Sequence, residues 1–192
     1  MTDAVVRQPW LWRFLRGRLR DVFEGIAPTW ETRIGPQHVA ALELALGELP
    51  APKRALDGGT GTGVGAMALA TRFPDADVVG VDLAPAMVAE AERRLPAELA
   101  ARVRYEVGDA SALPFADGAF ELVTLANMIP FFDELARVTA PGGAVVVSYS
   151  RGAATPIYVA PERLHRELSR RGFAEFAEFS AGPATALLAR RS

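Results

Sequence analysis

Four polar residues of this chain each close a short apolar run. Asp57 follows Ala55-Leu56, Asp82 follows Val78-Val79-Gly80-Val81, Asp109 lies two places beyond Val107, and Asn127 ends Val123-Thr124-Leu125-Ala126. Behind Asp57 stand glycines at 58, 59, 61, 63 and 65, and then the helical pattern Ala66-Met67-Ala68-Leu69-Ala70. This reads as a strand, a tight loop and a helix. Glycines supply positive φ and let a ligand or the next helix approach bare backbone. The helix start adds free N–H groups and a partial positive charge. Such a loop cradles a polar or anionic small molecule.

Three registers compete for the loop. A phosphate-binding P-loop needs Gly-Lys-Ser/Thr at its end, and the single lysine, Lys53, precedes the loop. A dinucleotide fingerprint fits Gly61-Thr62-Gly63-Val64-Gly65-Ala66 but leaves Gly58 and Gly59 without a purpose. The third register, Gly59-x-Gly61-x-Gly63, opens directly on Asp57. That carboxylate repels a pyrophosphate and suits a ligand carrying an ammonium or sulfonium. Asp82 is then placed to accept from two ribose hydroxyls, Asp109 of Gly108-Asp109-Ala110 from an adenine amino group, and Asn127-Met128 stand at the mouth where chemistry would occur. A single acid after a strand is usually just solvated. Three acids on three successive strand ends converge on one crevice.

The elements that must position these residues alternate. Strands are expected at 54–57, 77–82, 102–107, 119–125 and 144–149, and helices at 64–73, 86–99, 131–139 and 161–171. A hairpin over 173–180 and 184–190 turns at Gly182-Pro183. Alternating strands and helices build a mainly parallel α/β sheet with right-handed crossovers and helices on both faces, and the hairpin makes one strand antiparallel. Ligands in such sheets bind at the carboxyl ends of the strands. Ahead of this pattern, residues 5–23 carry apolar side chains at roughly helical spacing, interleaved with Arg7, Arg13, Arg16, Arg18 and Arg20. They form a helix, interrupted at Gly17, that packs on the domain or covers the site rather than docking on a membrane. Residues 37–48 form an amphipathic helix with His38 as a surface or capping residue at its start. The chain thus divides into an N-terminal helical lid segment, 1–50, and a core domain, 51–192.

Composition narrows the classes. The 192 residues are 50% hydrophobic and 23% charged, as expected of a soluble globular domain. A net charge of −2 gives no general attraction to nucleic acid. Without cysteine there is no disulfide, thiolate nucleophile or zinc–thiolate site, and two isolated histidines do not make a metal centre. No apolar run reaches the roughly 20 residues of a membrane span, and arginines break up the apolar N-terminal patches, so no secretory signal is read. A cytoplasmic protein is expected. The arginine- and alanine-rich composition suggests a bacterial coding sequence.

Taken together, these stretches resemble the class I S-adenosylmethionine-dependent methyltransferases of the small-molecule type, similar to the ubiquinone/menaquinone biosynthesis group. ALDGGTGTGVGAMAL looks like the family's first motif, VVGVDLAPAMVAEAERR its ribose-binding strand, loop and helix, GDASALPFADGAFELV its adenine-binding motif, and ELARVTAPGGAVVVS the helix, turn and fifth strand. The resemblance covers about 54–150 and implies a seven-stranded Rossmann-like sheet ordered 3-2-1-4-5-7-6 with strand 7 antiparallel. It also implies S-adenosylmethionine as cofactor, held by Asp57, Gly58, Gly59, Thr60, Gly61, Asp82, Gly108, Asp109, Ala110, Asn127 and Met128. Leu83 and Met87 would lie beside the adenine, and Arg33 would approach the cofactor's carboxylate. Thr60 replaces the cysteine, alanine or serine of many relatives. The stretch between Leu125 and Glu134 is short, with Asp133 as its only ionisable group, and so is the connection after the fifth strand.

Methyl transfer from a sulfonium needs alignment and exclusion of water, with a base only where the acceptor must lose a proton. Asn127 and Tyr149 are polar but weak, and His165 lies on a helix past the fifth strand, so the catalytic position stays unassigned. Trp10, Trp12, Trp30, Met128, Phe131 and Phe132 suggest an apolar pocket for a small, apolar or aromatic acceptor, although core packing explains such residues equally well. Two other readings stay open: a cofactor-binding regulatory domain without turnover, and an NAD(P)-dependent oxidoreductase using the later glycine register.

Overall fold

The computed structural model describes residues 2–35 and 37–192. The chain runs α1 (Thr2–Arg7), α2 (Trp12–Ile26), α3 (Gln37–Gly47), β1 (Arg54–Gly58), α4 (Val64–Arg72), β2 (Asp77–Asp82), α5 (Pro85–Arg94) and β3 (Val103–Val107). It continues through β4 (Phe120–Ala126), α6 (Phe132–Val138), β5 (Thr139–Tyr149), α7 (Pro161–Ser169), β6 (Phe173–Ala181) and β7 (Ala184–Arg191). The seven strands form one sheet in the order β3-β2-β1-β4-β5-β7-β6. Pairings among the first five are parallel, and β7 is antiparallel to both neighbours. This is the expected topology.

Successive strand residues serve opposite faces. On one face Val78 and Val146 join Leu42 of α3, Leu69 of α4 and Val88 of α5. On the other, Val79, Val145 and Val147 join Leu135 of α6 and Leu164 and Leu168 of α7. With both faces covered, the central strands read as unbroken apolar runs, as parallel sheets require. Proline at the first position of α5 and α7 presets φ for a helix whose first N–H groups have no partner in any case.

Three boundaries differ from expectation by more than two residues. The N-terminal helix is broken at Gln8-Pro9, where a 3-10 turn, Pro9–Leu11, separates α1 from α2, while Gly17 sits inside a continuous α2. Proline lacks the donor the helix needs and clashes with the preceding turn, whereas an interior glycine costs only about 1 kcal/mol. Helix α5 stops at Arg94, because Pro96 biases the residue before it away from helix. Strand β5 starts at Thr139, taking in Pro141-Gly142-Gly143, and the β4–β5 register shifts between Phe120 and Leu122. Among the described residues no helix is long and apolar enough to cross a membrane.

Candidate functional site

The glycine loop leaves β1 with Gly59, Gly61 and Gly63 all at positive φ. The Asp57 carboxylate turns away from the loop's outer side. It accepts from Thr60 Oγ1 at 2.7 Å, from Thr124 Oγ1 at 3.0 Å and from the Ala66 backbone N–H. Gly65 is obligatory here, since a Cβ would stand 2.5 Å from Asp57 Oδ2. Burial pushes the acid of Asp57 up to about 6, the three donors working against it and the charge of Asp82 with it. The expected carboxylate facing a cationic ligand is therefore an internal clamp: a buried acid close to a helix N-terminus finds its donors inside the protein.

Asp82 ends β2 and is only partly covered. Its two oxygens accept from Gly61 N and Ala84 N, both at 2.9 Å. Burial raises its acid against those hydrogen bonds. The Leu83 backbone N–H donates to it as well, and of the about four lone-pair sites of a carboxylate about one is left on the side that lines a cleft. The floor of that cleft follows the strand ends, with Gly59 after β1, Asp82 and Leu83 after β2, Gly108 and Ala110 after β3, and Asn127 and Met128 after β4.

Helix α2 covers the cleft with Trp12, Leu19 and Phe23, and Trp30, His38 and Phe131 close it from the side. The cover is tied at both ends. Trp12 Nε1 donates to Asp109 Oδ1 at 2.8 Å and Arg16 to Oδ2 at 3.0 Å, while Glu24 accepts from Ala86 N at 3.1 Å. Burial of the Asp109 acid is outweighed by donors from Ser111, Trp12 and Arg16, which hold it below its ordinary value. Beside the cover, Glu31 accepts from Thr62 Oγ1 and pairs with Arg94 at 2.8 Å.

At the β4 end, Asn127 is the one described non-glycine residue with positive φ, at 53°. Its Oδ1 accepts from Ser150 N at 2.8 Å and Ser150 Oγ at 3.1 Å, and its Nδ2 lies 3.2 Å from His38 Nδ1. Burial lowers the pKa of His38 against the opposing charge of Glu31.

Seven of the expected site residues thus meet in the cleft wall: Gly59, Asp82, Leu83, Gly108, Ala110, Asn127 and Met128. Gly58, Thr60 and Gly61 shape the loop, Gly61 by donating to Asp82 and Thr60 by donating to Asp57. Met87 is buried against Ala27 and Ala84 instead of lining the cleft. Asp109 is engaged by α2, and Arg33 is exposed outside the wall. His38 is not the surface residue expected of it: its ring lines the cleft beside the Trp30 ring, 6.4 Å away. Nothing in the spacing announces this. Of the aromatic set, Trp12, Trp30, Met128 and Phe131 line the cleft, whereas Trp10 is exposed and Phe132 packs in the core below. Tyr149 and His165 lie outside the cleft, and among the described residues no cluster of three or more acids or histidines could hold a metal. A second groove, lined by Arg7, Arg163, Arg166 and Arg170, shares no residue with this cleft.

Comparison with known proteins agrees with the geometry. Residues 55–143 match a family model described as a methyltransferase domain. A demethylmenaquinone methyltransferase of Thermus thermophilus is 49% identical over 114 residues, covering 56% of this chain and 50% of the relative. One of Deinococcus radiodurans is 34% identical over 163 residues, covering 77% of this chain and 66% of the relative. The chain therefore spans about half to two thirds of the length of these relatives. A solved S-adenosylmethionine-dependent methyltransferase from Aquifex aeolicus superposes with a TM-score of 0.70 at 17% identity, covering 86% of this chain and 98% of that one, a likeness of fold. Sheet order, glycine loop and the match over 55–143 coincide, and the chain belongs to the class I S-adenosylmethionine-dependent methyltransferases.

Proposed function

We propose that this chain moves the methyl group of S-adenosylmethionine to a small, largely apolar acceptor. The observation that carries the reading is one cleft with a glycine loop and a part-covered carboxylate on its floor and the rings of Trp12, Trp30 and Phe131 around it. The cleft suits the cofactor on its own chemistry. A Cβ on Gly61 would meet only the Trp30 indole nitrogen, at 3.6 Å, whereas one on Gly59 would stand 2.5 Å from Met128 Sδ, so the loop has room for a ligand at Gly61 and is covered by Met128 at Gly59. The accepting capacity left on Asp82 suits a ribose hydroxyl, and Val81, Leu83 and Ala110 offer an apolar slot for a flat base.

When bound, S-adenosylmethionine supplies an activated methyl group and a thioether leaving group. The chain's own residues orient and exclude. Asp82 would hold the ribose and the loop backbone at Gly61 the amino-acid end, with Asn127 and Met128 bordering the methyl to be transferred. Trp12, Trp30 and Phe131 press the acceptor toward it, and α2 keeps water out, so the rate comes from alignment in a near-attack arrangement. Helix α2 acts as the lid, whereas α3, expected to belong to the lid segment 1–50, packs its Leu42 and Leu46 into the sheet core and belongs with 51–192 to the catalytic domain. Two relatives are named for demethylmenaquinone, and a flat acceptor of that kind suits the aromatic walls.

Parallel calorimetric titrations with S-adenosylmethionine, S-adenosylhomocysteine and NAD test the reading. Micromolar binding of the first two without the third, followed by turnover in an acceptor screen, is expected. Binding of NAD alone would overturn it, and cofactor binding without turnover of any acceptor would make the chain a regulatory domain.

A further inference from the structure

A hydrogen-bond relay at the β4 end of the cleft has its direction fixed from one side. The backbone N–H of Ser150 can only donate, so the Asn127 atom it meets at 2.8 Å is the amide oxygen, and the amide nitrogen is the one turned to His38. Asn127 cannot easily turn over. Its backbone is held at φ 53°, and its own N–H donates to Ser148 O at 2.9 Å. An amide nitrogen carries only donors, so His38 Nδ1 must offer its lone pair and the ring hydrogen sits on Nε2. No described hydrogen bond uses that Nε2–H, although the ring lines the cleft. Burial favours the neutral ring. The charged group facing it is Glu31, which is itself engaged by Thr62 and Arg94.

Resting on the methyltransferase reading above, we propose that His38 is a fixed hydrogen-bond donor, not a base. In this reading its Nε2–H holds an oxyanion of the methyl acceptor, a phenolate, enolate or carboxylate that is methylated itself or is conjugated to the atom that is. The strand order supports the acceptor end as the place. Along β3-β2-β1-β4, Asn127 lies two strands from Asp82, across the glycine loop. Among the described residues that line the cleft, His38 and Asp82 are the ionisable ones. An acceptor that arrives ionised needs no base. Its electron pair forms the bond to the methyl carbon, the carbon–sulfur bond breaks with its pair left on sulfur, and the charges of anion and sulfonium cancel. His38 keeps its hydrogen throughout, while Asn127 and Ser150 act as positioning residues.

Two measurements test this. Long-range proton–nitrogen NMR on histidine-labelled protein, with the second signal assigned by His165→Gln, is expected to show His38 neutral with its hydrogen on Nε2. Asn127→Asp should move that hydrogen to Nδ1, because a carboxylate can only accept. The second measurement is binding of 2-naphthol, 2-naphthoate and naphthalene to protein saturated with S-adenosylhomocysteine. At least one oxygenated probe should bind about tenfold or more tighter than naphthalene, and which one separates a phenolate-type acceptor from a carboxylate. His38→Ala should lose that preference and His38→Gln should keep part of it, with S-adenosylmethionine affinity within about twofold of wild type in both. The inference alone is overturned by a hydrogen on Nδ1 in wild type, or by an oxygen preference that is absent in wild type or survives His38→Ala. It is also overturned if His38→Ala weakens cofactor binding instead, which would assign the ring to the cofactor's carboxylate. Failure of wild type to bind S-adenosylhomocysteine would overturn the methyltransferase reading and this inference with it.

Discussion

Asp57→Asn removes a charge without removing the shape or the acceptor oxygen that meets Ala66 N–H, and its effect should depend on pH in a calculable way. The wild-type acid is pushed up to about 6 by burial, against about 4 in an unfolded chain. Between those values the folded protein holds a proton that the unfolded chain has lost. Folding therefore takes up a proton in that window, and stability from this group falls as pH rises from about 4 to about 6, then stays at the lower level. A gap of about two pH units corresponds to about 3 kcal/mol. The asparagine variant has no such slope, so its stability relative to wild type should climb by about 3 kcal/mol between about pH 4 and about pH 7. Urea unfolding of both proteins across that range, followed by circular dichroism, measures the difference with contributions from other groups largely cancelled. A constant difference would refute the reasoning. A difference of opposite sign would mean that the donors from Thr60, Thr124 and Ala66 outweigh burial, and that the clamp is stabilised by its charge.

Asp82→Ala should weaken S-adenosylmethionine binding by roughly 1.5–3 kcal/mol through lost charge-assisted hydrogen bonds, and an unchanged calorimetric affinity would show that the ribose lies elsewhere. Gly80→Ala should cost about 1–3 kcal/mol in urea unfolding, because a Cβ there would stand 2.6 Å from Tyr105 Cδ1 and 2.7 Å from Thr60 Oγ1. Tyr105→Leu in the same background should recover part of that loss if the ring is the obstacle. Trp12→Phe keeps a ring against Phe131, 5.2 Å away, but removes the donor to Asp109. It should speed amide exchange across α2 about fivefold, the effect of about 1 kcal/mol, and unchanged exchange would mean that apolar contact alone holds the helix down.

The sheet was legible because parallel strands covered on both faces must be continuous apolar runs, and DVVGVD or AVVVSY between glycines and prolines has few other uses. The positions of Asp82, Gly108 and Asn127 followed, since a residue that ends such a strand stands at the edge where ligands bind. Direction was harder than position. Nothing in the order of residues says that Asp57 turns inward, because this depends on Thr124, a residue of another strand. His38 and Asn127 meet across 89 positions of chain, a contact that no local propensity specifies. At the N-terminus a helical apolar pattern runs across Pro9, and the missing donor of proline overrode it.

The two ties of α2 bear on the traffic of ligands. The helix is fastened by Trp12 and Arg16 at one end and by Glu24 at the other, and the strand ends from β3 to β4 lie under it together. Undoing either tie makes the other a hinge, so the same swing of one helix that uncovers one ligand uncovers its neighbour. Two ligands sharing a single doorway do not come and go independently: the deeper one enters first and leaves last. For the proposed transfer this means an ordered sequence, with excess of the outer ligand slowing release of the inner one.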